Sequence, residues 1–487
     1  MPAGLLGQWV AWIGLVLLLP ITSLPLLVRI TGADSVAAPS GVFLFLLVIG
    51  WLPVYLIRRG RLSRTLLPLI WLIIVALFTI GVSAFREIPP FKDISPVKSQ
   101  IQALITLGIG FCFFLVASTW PKTQLRLEWT LRILNWSGLV VVLWSLAQAV
   151  AWYSTNHYPE WMRIIHEWYS IGPLYRQRVT GFTLEPSWLA HQLNMLYLPI
   201  WLAATTTRYS AHRRLVFGIT FENVLLVFGI IVLLLSLSRV GILAFLLMAG
   251  YLVLRVNIVL WNWVQGKVPG HWHSDRIRKM MFRAGLLVLI IAFYVTLLLA
   301  VGYGMSKFDP RMKDLFEISL GDESTLLRYA NQLTFASRMV YWQSGWKIFN
   351  EHPWLGVGLG NAGFYIPQNL SGYAWGLVEI RDLVYRSMVL LNIKSLWVRL
   401  LAETGIIGFS FFTAWWFLCW RTSRKLEQDR VRLFHFFGWA GQFVLLALLL
   451  ECFSLDSFAL PYFWFLPGLV SATLSLQVYE KKKVMYE

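Results

Sequence analysis

The chain has 487 residues, 57% of them hydrophobic and only 14% charged, with a mean hydropathy of +0.63. These values exclude an ordinary soluble domain. The net charge of +18 does not indicate nucleic-acid binding, because Lys and Arg collect in the cytoplasmic loops of membrane proteins.

A membrane-crossing helix needs roughly 20 apolar residues, and about twelve runs reach that length. They lie near 9–28, 41–57, 65–85, 101–119, 133–153, 187–206, 215–237, 240–260, 284–303, 395–419, 433–452 and 458–477. A β-barrel would show short alternating segments instead. The expected fold is therefore all-α: a polytopic membrane protein of about twelve spans, divided as 1–303 (nine spans), 304–393 (a long polar loop) and 394–487 (three spans and a tail). Residues 1–19 lack the basic start and small-residue cleavage pattern of a signal peptide, so the first run is expected to be retained. Many of the 26 Trp stand near expected helix ends, as interfacial anchors do. Cys112, Cys419 and Cys452 all fall inside apolar runs. They form neither a disulfide framework nor a zinc spacing and read as packing residues.

Alternate connections carry 24 Lys and Arg, against eight in the other short connections. The positive-inside rule then predicts cytoplasmic termini and an outward 304–393 loop. The segment 158–169 places Trp161, Ile164, Ile165 and Trp168 at helical spacing, as expected of a short interfacial helix. In the long loop, residues 336–350 read as an amphipathic helix stopped by Asn350 and Pro353. The glycines 356, 358 and 360 that follow lack the Gly-Lys-Ser or Gly-Lys-Thr ending of a phosphate loop, so they read as a turn. His352 reads as a helix-end residue, and His271 and His273 are too few and too isolated for a metal site.

Arg178, Arg239, Arg338 and Lys394 all fall on the expected outer side. Four cations from separate segments suit a ligand with several negative charges, such as a lipid-linked diphosphate. The plainer reading of each is a snorkelling or ion-paired interfacial cation. Glu185, just before Pro186, either caps a membrane helix electrostatically or acts as a general base or acceptor-hydroxyl ligand.

Three stretches resemble the O-antigen ligase and polymerase superfamily of bacterial inner membranes. They are the arginine helix and glycine turn at 337–361, the Ser-Arg-Val-Gly hairpin within 235–241, and the Glu-Thr-Gly-Ile-Ile-Gly ending of 395–408. The resemblance covers roughly residues 175–420. It implies a metal-independent glycosyltransferase that needs no cofactor. Such an enzyme moves a glycan from undecaprenyl diphosphate to a saccharide or glycolipid acceptor at the periplasmic face, in contact with membrane lipids. By the same resemblance Arg178, Arg239 and Arg338 hold the diphosphate. The ligases carry a His just before the helix after the long loop, where this chain has Lys394. A protonated lysine binds phosphate but cannot be a base, which leaves Glu185 as a candidate base. With the Glu-Pro-Ser sequence at 185–187, this favours an O-antigen or exopolysaccharide polymerase. A ligase acting on lipid A-core or protein, and a flippase or transporter, are the alternatives. A transporter of two halves would be expected to show an inverted or parallel repeat, and none is seen. Sugar identity, linkage and oligomeric state have no signature in the sequence.

Overall fold

Long apolar runs fold as helices because in lipid each backbone N–H and C=O must be satisfied within its own segment. The computed structural model describes residues 3–31, 37–58, 60–212, 218–267 and 336–486, with isolated helical positions between 285 and 303. Among the described residues all regular structure is helical, apart from a bridge between Ser23 and Ser170. The helices, in chain order, begin with α1 (Ala3–Leu17), α2 (Pro25–Thr31), α3 (Ser40–Gly50), α4 (Leu52–Ile57), α5 (Leu66–Ser83) and α6 (Pro96–Thr119). Next come α7 (Gln124–Thr155), α8 (Glu160–Tyr169), α9 (Pro186–Gln192), α10 (Leu198–Thr207), α11 (Phe221–Leu235) and α12 (Arg239–Lys267). The last are α13 (Ala336–Glu351), α14 (Ala362–Tyr365), α15 (Val378–Arg381), α16 (Leu396–Glu427), α17 (Arg432–Glu451) and α18 (Pro461–Tyr486).

Among the described residues seven helical stretches are long and apolar enough to cross a membrane: Ser40–Ile57, α5, α6, α7, Arg239–Trp261, α16 and α17. Leu5–Leu17 and α11 are shorter apolar helices. The expected span at 187–206 is not one regular helix. It is α9, a π-turn over Leu193–Tyr197 and then α10. Pro199 explains the break: it has no N–H to give to the carbonyl one turn back, and the inserted π-turn re-registers the ladder. The expected span at 458–477 begins three residues before α18 and otherwise falls in it; α18 has Pro467 in its interior. The expected span at 284–303 is described only at isolated positions, and 304–335 of the long loop lies outside the described residues, as do Arg59, Arg213, Arg214, His271 and His273.

The chain forms two compact units. The first comprises Met1–Met248, Tyr341–Leu370 and Met388–Glu487. Its core pairs α6 with α18, α16 with α17 and α5, and α10 with α17. Small residues let these helices approach, as in membrane bundles generally. Trp201 of α10 is seated against Gly138 of α7 and Gly229 of α11, where an added Cβ would stand 2.5 and 2.6 Å from its ring. The Trp201 indole N–H donates to Asn135 at 3.1 Å, which satisfies its polar edge in the core.

The two ends of this unit differ. At one end Gln124 donates to Glu480, Lys481 pairs with Asp429 at 2.8 Å, and Arg424 pairs with Glu427 at 2.6 Å. Three connections that carry the basic excess of the sequence are thereby gathered together. The other end collects the C-termini of α5, α11 and α17 and the N-termini of α6, α9, α12 and α16. Helix α8 exposes Trp161, Ile164 and Trp168 on one face and buries Met162, His166 and Tyr169 on the other. Ile165 is half-buried. The apolar stripe read from the sequence is thus an outward face.

The second unit comprises Ala249–Val340 and Ser371–Ser387. Its described part includes the later turns of α12, the first turn of α13, and α15 with a short helical turn on either side. Arg386 pairs with Asp382 at 3.0 Å, but both are well exposed, a setting in which such a pair contributes little.

Candidate functional site

The site is built around the tight turn between α11 and α12. Helix α11 runs out at Leu235, and Leu237 takes a left-handed conformation with φ +50°. Ser238 then caps α12: its hydroxyl accepts the Gly241 amide and its carbonyl accepts the Ile242 amide. Arg239 is therefore the first residue of α12. Arg178 reaches the same turn from the loop before α9. Its Nε donates to the Ser236 carbonyl at 3.0 Å, and the next residue, Val179, donates its amide to Leu235. Gln148 of α7, fully buried, holds the loop from behind by accepting the Thr180 and Gly181 amides at 3.0 and 2.9 Å.

A buried junction joins this turn to the end of α17. The Gly241 carbonyl accepts Asn194 at 2.7 Å, and the same amide group donates to Glu451 at 2.6 Å. The other Glu451 oxygen shares a hydrogen bond with His191 Nδ1 at 2.5 Å. His191, Asn194 and Glu451 are all buried. One residue past Glu451, the Cys452 carbonyl accepts the Leu396 amide and the Ser395 hydroxyl, at 2.8 and 3.2 Å. That pins the start of α16 and sets Lys394, in a left-handed conformation with φ +53°, beside it. The Lys394 ammonium lies 4.8 Å from the Tyr341 ring centroid. Arg178, Arg239 and Lys394 thus stand along one hydrogen-bonded path at one end of the first unit.

Glu185 precedes α9 and makes no side-chain cap; its carboxylate accepts the Ser187 hydroxyl at 2.6 Å instead. Arg338 lies near the start of α13, in the part of that helix that belongs to the second unit, and is half-buried. Arg178, Arg239, Arg338 and Lys394 each have an interaction partner in the fold.

The glycine turn is a clasp. The Val357 and Gly358 amides donate to the Ala402 and Glu403 carbonyls at 2.9 and 3.0 Å, and the Ile406 amide donates to Pro353 at 2.8 Å. These bonds replace helical ones where α16 breaks at Gly405, whose φ is +62° and ψ −167°. Arg86 donates to the Gly356 carbonyl and Ser99 to the Gly360 carbonyl, at 2.8 and 2.6 Å. Two of the turn's amides are therefore committed to α16, which suits a structural turn and not a phosphate cradle. His352, just after α13, takes part through its backbone, where its carbonyl accepts the Gly356 amide. Burial lowers the pKa of its ring, Arg86 lowers it further, and Glu351 opposes the shift.

The sequence reading missed His191, Asn194 and Glu451. The available signal was the rule that an ionisable residue within a membrane span marks a site until shown otherwise. Among the described residues no group of three or more His, Cys, Asp or Glu is arranged to hold a metal. Residues 224–413 match the family described as O-antigen ligase. That stretch takes in the Arg239 turn, α13, the clasp and the first half of α16. No curated protein matches the chain.

Proposed function

We propose, for a chain that carries an O-antigen ligase domain over residues 224–413, that it is a polysaccharide polymerase of the bacterial inner membrane. In this reading it transfers a glycan from an undecaprenyl-diphosphate donor to a saccharide acceptor at the periplasmic face. The observation that carries the reading is the convergence of Arg178 and Arg239 on one helical turn, joined by hydrogen bonds to the Lys394 corner.

The chemistry requires this kind of arrangement. An acceptor hydroxyl oxygen bonds to C1 of the donor sugar, and the C1–O bond to the diphosphate breaks. The electron pair leaves on the diphosphate, and the hydroxyl proton passes to a carboxylate such as Glu185 and then to water. Negative charge grows on the leaving group, so fixed cations stabilise the transition state more than the ground state. Arginine grips phosphate oxygens through a planar fork, while Lys394 would add a point charge. Glu185, whose carboxylate accepts the Ser187 hydroxyl, orients the acceptor hydroxyl.

The test is reconstitution of the full chain in liposomes with lipid-linked oligosaccharide as the only sugar source. Longer lipid-linked glycans are the expected product. The family description, O-antigen ligase, makes ligation the second reading, and transfer to lipid A-core or to a protein would replace polymerase by ligase. Movement of the substrate across the bilayer with no new glycosidic bond would overturn both.

A further inference from the structure

A second feature of the first unit lies beside the cation path and is not used by it. A cavity of about 360 Å³ opens among the first turns of α6, α9, the residues before α16, and the loop between α17 and α18. This lies within the size range of small-molecule sites, roughly 300–1,000 Å³. Its lining includes Gln102, Trp188, Asn392, Glu403, Asp456 and Ser457. Trp188 stands three residues after Glu185, one turn along the chain, and Asn392 stands two residues before Lys394. The cavity therefore borders the proposed reaction centre on two sides.

Its charge argues against the diphosphate as occupant. Arg399 also lines it, but its Nε donates to Glu403 at 3.0 Å and its Nη1 donates to the Asp456 carbonyl. The guanidinium is thus engaged by Glu403 and the Asp456 backbone, and the two other ionisable groups of the lining, Glu403 and Asp456, are both acids. Such a lining is a poor seat for a phosphate. An indole face, two carboxamides, a hydroxyl and a carboxylate instead match a neutral polyhydroxylated ring. The apolar C–H face of a sugar packs on an aromatic, and its hydroxyls need mixed donors and acceptors.

We infer that this cavity is the acceptor-saccharide subsite, with Trp188 packing on a sugar ring and Gln102, Asn392 and Asp456 holding its hydroxyls. The inference rests on the transferase reading above and adds to it where the acceptor binds. The probe is the repeat-unit oligosaccharide released by mild acid from the host's lipid-linked pool, titrated into the full chain in nanodiscs and followed by saturation-transfer NMR. Wild type and Arg239→Ala are expected to bind it equally, while Trp188→Ala and Asp456→Asn weaken binding at least tenfold. Asn392→Ala, at an exposed position where folding is not at stake, is expected to weaken it severalfold. In the turnover assay the cavity variants raise the acceptor KM and leave the donor KM unchanged. No binding by wild type, or binding unchanged in all three cavity variants, would overturn the subsite. Binding that is lost in the cavity variants while wild type transfers no glycan would keep the saccharide site and overturn the transferase reading alone.

Discussion

Arg239 opens α12, so its guanidinium adds to the positive end of that helix, and Arg178 is fastened to the same turn three residues earlier. If this pair meets the leaving diphosphate, Arg239→Ala lowers turnover by about 10²–10³, the usual cost of removing one preorganised transition-state donor. Arg239→Lys then recovers part of the rate, because charge returns without the planar fork. Turnover in liposomes at saturating donor is the measurement, and a normal rate for the alanine variant would remove Arg239 from the mechanism. Glu451 makes a different kind of demand. It is buried and accepts from Asn194 while bonded to His191. Glu451→Ala removes the partner of His191 and one of the two acceptors of Asn194, a loss of about 1–3 kcal/mol for each buried polar group left without its bond. Glu451→Gln, which keeps a carbonyl oxygen, is expected to cost less, and the order is read from thermal unfolding in detergent. Arg239 was legible because a cation in a very short connection between apolar runs has nowhere neutral to go. Glu451 was not, because its partners lie 260 and 257 residues away in sequence and only the folded bundle brings them within reach.

At the level of elements, the clasp between the glycine turn and the break in α16 carries the sharpest stability expectation. Gly405 has φ +62°, and an added Cβ would stand 2.5 Å from the Leu355 backbone nitrogen, an atom that cannot move aside alone. Gly405→Ala therefore combines the strain of a backbone conformation open essentially to glycine alone, about 1–3 kcal/mol, with a backbone collision. Gly372→Ala meets nothing within 4 Å at an ordinary φ. The expected result is a clear drop in the unfolding temperature for the first and little change for the second. His352 adds a pH dependence to this region. Burial, then Arg86, lowers its folded pKa, so the unfolded chain takes up its proton first as pH falls. Stability is unaffected above about pH 6.5, the ordinary histidine value. It declines as pH drops from there through the folded pKa. His352→Gln should flatten that acid-side decline in a series of unfolding temperatures. The bounds of α13 were legible because Asn350 and Pro353 stop a helix whatever surrounds them. The break at Leu193–Tyr197 was less so: Pro199 marks a fault in the helix, but the polar residues His191, Gln192 and Asn194 are buried with the apolar ones, so no exposed face gives a period from which to place the inserted residue.

Across the whole molecule the basic residues collect in alternate connections, and the fold arranges its parts accordingly. The connections after α6 and α16 and the tail of α18 meet at one end through Gln124, Asp429, Glu480 and Lys481. The Arg178–Arg239 turn and the start of α16 meet at the other. Positive-inside reasoning assigns the first end to the cytoplasm, and the proposed transfer from a lipid-diphosphate donor at the periplasmic face requires the second to face outward. Cysteine labelling can test both assignments together. Cys112, Cys419 and Cys452 are free, and the last two are buried, so a background without them must first be shown to fold. In that background Asn392→Cys and Lys482→Cys, both at exposed positions, report the two ends. In sealed right-side-out vesicles a membrane-impermeant maleimide is expected to label position 392 directly and position 482 only after the vesicles are opened. The reverse pattern would invert the orientation and put the cations on the cytoplasmic side, where a periplasmic transfer could not occur. Labelling of both from one side would mean that an even number of crossings, not the three of α16, α17 and α18, separates positions 392 and 482, and the alternation read from the basic residues would fail with it.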